Sequence, residues 1–244
     1  MTTSKASAAS ARRKTSAAAP PAAGGRRGPR PARRTAPGAA PALTPQGIVD
    51  AALALVAEAG VAGLSTRKLG QRLGCEAMSI YHHFPSKQHL LDAMVDHAIG
   101  AMQMPPADLP PLQRLRQAMY AYRAMAHRHP ALFPYVALHR LNTPTGVRFI
   151  ESILALVQAV VPDAGQAARH FRSLGYYLAG AALDETAGYA KGPSAAEPVD
   201  GAFIARECPR LAAAAPYFQR AQWDATFDLG VQALLAAVQQ DALA

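Results

Sequence analysis

LSTRKLGQRLGCEAMSIYHHF, residues Leu64 to Phe84, is the stretch that decides the fold. Two short segments with apolar residues at helical spacing flank a Gly74-Cys75-Glu76 break. Ser65 can cap a helix to Leu73, Gly74 can stop it, and a further helix runs from about Ala77 to Phe84. At about 100° of rotation per residue, Ile80 and Phe84 of that helix fall on one side. Met78, Ser79 and His82 point away from it, and Ala77, Tyr81 and His83 lie on the flanks. A helix that turns hydroxyls, imidazoles and a thioether outward is either a solvated surface helix or one made to be pressed into a partner. Two short helices joined by a tight turn form the bihelical unit that lays its second helix in the major groove of DNA. Hydroxyls there bind phosphates or base edges, Met and Ala contact thymine methyls, and imidazoles donate to acceptors on guanine or phosphate.

Working outward, Thr44-Pro45 suits a helix start, and Val49, Ala52, Leu53 and Val56 follow at helical spacing up to Gly60. Downstream, Pro85 ends the third helix and Ser86 caps a fourth, with Leu90, Leu91, Met94, Val95 and Ala98 as its buried stripe. Pro105, Pro106, Pro110 and Pro111 mark a boundary. Beyond it, helical segments are expected near 111–128, 144–160, 164–190, 202–213 and 222–240, with loops at Pro130 to Pro134 and Gly192 to Pro198. No alternating strand pattern or internal repeat interrupts them. The expected fold is all-α: a disordered arm (1–43), a three-helix helix-turn-helix head within 44–100, and a larger helical domain over 101–244.

Charge is unevenly spread. Of the 25 basic residues, nine lie in residues 1–43, which contain no acid, leaving 16 basic against 16 acidic residues elsewhere. That arm is Ala, Pro, Gly, Ser and Arg, too poor in large apolar side chains to offset its ordering entropy. Its prolines and glycines argue against an amphipathic transit peptide, and a basic arm that attracts nucleic acid is the better reading. No uninterrupted apolar run reaches the roughly 18 residues of a membrane span, so no membrane partner is expected. Cys75 and Cys208 offer neither a disulfide framework nor a CxxC site, and suit unpaired thiols in a reducing cytoplasm.

The run from Ile48 to Met94 resembles the DNA-binding head of the tetracycline-repressor (TetR) family of bacterial transcriptional regulators. The features that carry the resemblance are Ala51-Ala52-Leu53, Gly60, Ser65 to Leu69, Leu73-Gly74, Ile80 to Phe84, Ser86-Lys87 and Leu90-Leu91. It implies that Thr66 and Arg67 meet the backbone and the adjacent base edge. Ala77, Met78 and Ser79 would read bases, and Tyr81, His82 and Lys87 would hold phosphates. Ala77 and Met78 depart from the polar residues of some members, which shifts readout toward thymine methyls and Arg67.

Residues 111–240 resemble the regulatory domain of the tetracycline-repressor subclass. The carriers are His129-Pro130, His139 to Thr145, Gly180 to Glu185 and the ending FDLGVQALLAAV, Phe227 to Val238. The resemblance implies a homodimer and an effector pocket. For the dimer contact, Gly175, Leu178, Gly180 and Ala182 of one helix are expected to join Phe227, Val231, Leu234 and Leu235 of another. For the pocket, His139, Tyr176 and Asp184 are the candidates. His139 and Asp184 fall where the tetracycline repressor uses an imidazole and a carboxylate around a magnesium-chelated drug, so a divalent metal arriving with the effector is one option; no other cofactor is expected. No P-loop, GxSxG or HExxH motif is present, which counts against an enzyme. The expected function is a cytoplasmic repressor that binds double-stranded operator DNA and is released by a small-molecule effector. The alternative is an effector-independent or architectural DNA-binding protein.

Overall fold

The computed structural model describes residues 43–188 and 199–243, so the arm, but for its last residue, and the loop at 192–198 lie outside the described residues. The described chain is all-α. Its first group is α1 (Pro45–Gly63), α2 (Thr66–Leu73), α3 (Ala77–Tyr81) and α4 (Lys87–Gly100). Then come α5 (Pro111–Arg128), α6 (Phe133–His139), a 3₁₀ turn (Arg140–Asn142), α7 (Pro144–Gln158) and α8 (Ala164–Leu183). The end of α8 widens into a π-helical turn, Asp184–Gly188. The chain closes with α9 (Gly201–Glu207), α10 (Pro209–Ala214) and α11 (Trp223–Asp241).

The helix starts are written in short polar side chains. Thr44, Ser65, Ser86 and Thr143 each accept a backbone N–H three residues on, at 3.1, 3.3, 3.3 and 3.2 Å. Asp163 and Asp200 do the same for α8 and α9, at 2.8 and 2.7 Å. Each such cap satisfies a donor that the helix itself leaves open, worth ~1 kcal/mol. Two glycines do what no other residue does cheaply: Gly60 interrupts α1 at φ 69°, and Gly74 ends α2 at φ 66°.

Three expectations change. The third helix ends at Tyr81, not Phe84: the amides of both His83 and Phe84 turn back to the Ile80 carbonyl, at 3.0 and 2.9 Å, and swing Phe84 into the core. The proline-rich stretch expected as a loop starts α6, because Pro134 sits in its first turn, where the missing N–H costs nothing. The segment at 202–213 is two helices, split at Pro209.

Two apolar clusters organise the packing. One takes the buried stripes of α1 to α4 together with Tyr122, Met125, Phe133, Val136 and Ala182. The other joins Leu115, Met119, Val157, Leu174, Phe227 and Val231, and Leu178 touches both. By composition alone α1 could cross a membrane, with mean hydropathy 1.3, yet Ile48, Val49, Ala52, Leu55 and Val56 are spent in the first cluster. α4 packs against α1 on one side and against α6 and α7 on the other. It is the shared wall between α1 of the first group and α6 and α7 of the second.

Candidate nucleic-acid interface and internal cavity

The geometry of α2 and α3 follows from one close approach. A Cβ at Gly70 would lie 2.7 Å from the Cys75 carbonyl oxygen, so only glycine lets the turn fold this tightly onto α2. The Cys75 amide closes that turn on the Gly70 carbonyl at 2.9 Å. Ile80, fully buried with Leu69, pins α3 from behind. Everything else on α3 then faces outward or sideways. Met78 is 62% exposed, Tyr81 and His82 are exposed, and Ala77 and Ser79 are half-buried.

The structure brings several of the expected DNA-contacting residues together. The hydroxyls of Thr66 and Tyr81 stand 3.4 Å apart, tying the start of α2 to the end of α3. Arg67 is exposed beside Ala77, the two lining one shallow depression, and it has no carboxylate partner among the described residues. Lys87, exposed at the start of α4, reaches the Val61 carbonyl at 3.5 Å. Arg72, by contrast, is occupied by Glu58 at 2.8 and 2.9 Å. A free guanidinium, an ammonium, two hydroxyls and an exposed thioether suit a surface that meets phosphates and base edges.

Behind the head lies a cavity of about 340 Å³ bounded by α5, the 3₁₀ turn, α7 and α8. That volume is in the range of drug-sized sites. Its walls are Leu, Ala, Met, Phe and Ile, broken only by Tyr122, Arg140, Arg172 and Tyr176. Tyr122 stacks on Phe149 with centroids 6.2 Å apart and meets Phe133 edge-on at 5.6 Å. Burial raises the Tyr122 phenol above its usual range, against an opposing pull from the Arg140 charge.

Of the three expected pocket residues, the cavity contains Tyr176 and neither His139 nor Asp184. His139 closes α6, stacked on Tyr135 at 4.1 Å and 3.3 Å from the Asn142 amide. Asp184 is exposed at the end of α8. No group of three or more His, Cys, Asp or Glu is arranged to hold a metal among the described residues. The cavity presents guanidinium groups where a hard cation needs carboxylates, so its donor set does not fit a magnesium chelate. Arg140 and Arg172 escaped the sequence reading. Arg172 had a signal, since it sits one turn before Tyr176; Arg140 had none, because it lies in a 3₁₀ turn outside any helical period.

The expected dimer residues divide in the same way. Phe227, Val231, Leu235 and Ala182 are buried within a single chain, at 1%, 0%, 7% and 1% exposure, and Leu178 and Leu234 pack against those clusters. Gly175 lines the cavity and Gly180 is exposed. On α11 the exposed apolar positions include Leu229, Ala233 and Ala236.

The comparisons agree with this architecture. Residues 48–94 match the model for bacterial regulatory proteins of the tetR family, and residues 111–241 match the tetracyclin repressor-like C-terminal domain. The chain is 32% identical over 203 residues to the tetracycline repressor protein class A from transposon 1721 of Escherichia coli, covering 79% of this chain and 89% of that one. It is also 32% identical over 213 residues to an HTH-type transcriptional regulator of Saccharopolyspora erythraea, covering 81% and 85%. Among solved structures, a possible TetR family transcriptional regulator from Streptomyces coelicolor A3(2) superposes with TM-score 0.66 at 26% identity, covering 81% of this chain and 99% of the other. With both halves matched and the helix-turn-helix in place, the chain belongs to the tetR family of bacterial regulatory proteins and is a DNA-binding transcriptional regulator.

Proposed function

We propose that the protein represses transcription as a homodimer on a palindromic operator and leaves it when a small molecule fills the cavity. The observation that carries this reading is α3: a helix buried only at Ile80, with Met78, Tyr81 and His82 exposed beside Thr66 and Arg67. In this reading residues 44–100 are the DNA-binding head and residues 101–244 bind effector and partner. Arg67, Ala77, Met78 and Ser79 read bases, while Thr66, Tyr81, His82 and Lys87 hold phosphates. The dimer contact uses the outward positions of α8 and α11, Gly180 with Leu229, Ala233 and Ala236, rather than residues already buried in one chain. The protein acts in the cytoplasm and turns over no substrate.

Release works through α4. It packs on α7, which borders the cavity, on α6, which leads into the 3₁₀ turn that also borders it, and on α1 of the head. A ligand that favours a different seating of α6 and α7 also favours a different seating of the head. Reciprocity then requires DNA to weaken the ligand by the same factor.

The test is selection of bound sequences from a random DNA pool with the full-length protein, followed by footprinting. Two inverted half-sites spaced by about one helical turn (~10 bp) or a multiple of it are expected. A single unsymmetrical footprint would exclude the dimer, and recovery of no preferred sequence would mean an architectural DNA binder.

A further inference from the structure

The cavity is charged in one direction only. Its polar side chains are two guanidinium groups and two phenols, and no Asp, Glu, His or Lys lines it. Neither Arg140 nor Arg172 has a carboxylate within ion-pair distance among the described residues. Arg140, half-buried, donates to the Ala137 carbonyl, which satisfies a proton without neutralising the charge. Arg172 lies at the exposed mouth, donating to the Tyr176 hydroxyl with its guanidinium carbon 5.1 Å from that ring. A cation beside apolar walls is costly without a counter-charge.

Arg140 is also held in place. A Cβ at Gly146 would fall 1.7 Å from the Arg140 carbonyl oxygen, so the 3₁₀ turn is seated directly on the first turn of α7. Its amide continues α6 by donating to Val136. The guanidinium is therefore presented from a fixed backbone, the arrangement that recognises a carboxylate or sulfonate at least cost. In the same lining, the Tyr122 and Phe149 rings are tilted only 7° from each other and offer aromatic surface to a ligand.

We propose that the effector is an apolar, ring-bearing organic anion, its acidic group held by Arg140 with Arg172 at the mouth, and its skeleton packed between α5, α7 and α8. This rests on reading the cavity as the effector site. It departs from a metal-chelated drug, which brings a cation into the pocket. It also supplies a route to DNA: drawing the Arg140 side chain off Ala137 pulls on the end of α6, which packs against α4.

The experiment uses the full-length protein and two fluorescent probes of similar shape, anilinonaphthalene sulfonate and its neutral counterpart N-phenylnaphthylamine. Wild type is expected to bind the sulfonate about tenfold or more tighter, the scale of a hydrogen bond to a charged group. Arg140→Gln should erase most of that preference while keeping the neutral probe. Gly175→Phe should weaken both probes, because a Cβ at Gly175 meets nothing within 4 Å and the added ring has the cavity to fill. Equal binding of both probes by wild type overturns the proposal. So does sulfonate affinity that Gly175→Phe leaves undiminished, or a sulfonate preference that survives in both Arg140→Gln and Arg172→Gln. If Arg140→Gln does not fold, competition between naphthoate and naphthamide in wild type decides the same question. Release of DNA recovered from the random pool is read separately. A sulfonate that binds in the cavity yet leaves DNA bound refutes the effector reading and spares the anion site; release by the neutral probe alone refutes the anion site and spares the effector reading.

Discussion

In the head, Arg72 meets Glu58 in the open, with side chains 39% and 59% exposed. In the larger half, Arg123 meets Glu185 almost out of water, at 12% and 6%. The distances are the same 2.8 Å, and the consequences are not. An exposed pair is screened and contributes about 0–1 kcal/mol, so the head can spend its charges on a partner without risking its own stability. A buried pair must be complete, because either member left alone is an uncompensated charge. Glu185 is accordingly surrounded: the Arg123 guanidinium donates to both its oxygens at 2.8 and 2.9 Å, and His127 Nε2 lies 2.6 Å from it. The same guanidinium donates to Asp224 of α11 at 2.8 Å. Three elements, α5, the π-helical turn and α11, are thereby clamped at one point.

The largest expected effect breaks that contrast. Glu185→Ala should cost ~3 kcal/mol of unfolding free energy, the lower end for a broken buried pair, since it leaves the buried Arg123 guanidinium only the exposed Asp224 as a counter-charge, whereas Glu58→Ala should cost under ~1 kcal/mol. Chemical denaturation of both variants measures the difference. Equal losses would mean that the Glu185 site is wetter than its exposure implies.

The second effect sharpens the contrast on the DNA side. Arg67, free of any carboxylate, should be able to reach a base edge, and Arg67→Ala should cost ~1–3 kcal/mol of affinity and relax the preferred sequence. Tyr81→Ala should weaken all sequences alike, because a hydroxyl tied to Thr66 positions phosphate rather than reads bases. Binding measured across single-base operator variants separates the two. An Arg67→Ala profile parallel to wild type would remove that residue from base reading.

How far each half could be read from its sequence follows from how it is built. The head is local: Thr44, Ser65 and Ser86 cap helices three residues on, Gly70 and Cys75 shape one turn, and Thr66 and Tyr81 are fifteen residues apart. Periodicity and capping capture such a unit; what escaped is the short continuation of α1 past Gly60 to Gly63 and the early end of α3, because Phe84 serves the core through a turn. The cavity is assembled from four elements between Leu115 and Ala179. No period links Arg140 to Tyr122, and the aligned positions of His139 and Asp184 did not carry over into the lining. Burial was ambiguous for a related reason. Phe227, Val231 and Leu235 have the spacing of an apolar stripe, and a stripe does not say whether its own chain or a second copy covers it.

The smallest effect sits on the seam between the halves. His129 ends α5, and its carbonyl accepts from Leu132 and Phe133 at 3.0 and 2.8 Å as the chain turns into α6. Burial pushes its imidazole below the ordinary value of 6.5, with His97 of α4 and the neighbouring Arg128 adding repulsion. His97 is itself engaged with Gln46 of α1, 3.1 Å away, so the contact reaches into the head. As pH falls, the unfolded chain takes up this proton first and the folded chain resists it. Stability from this group is therefore intact above pH 6.5, declines as pH drops through that value, and levels off once the folded imidazole also protonates. His129→Gln should remove that share of the acid sensitivity while leaving the head's caps untouched. Thermal midpoints of wild type and variant, compared at about pH 7.5 and about pH 5.5 on either side of the usual imidazole range, should differ more at the lower pH, the wild type losing more. Identical losses in the two proteins would mean that the imidazole titrates at its ordinary value, and that the seam between the halves carries no proton-dependent strain.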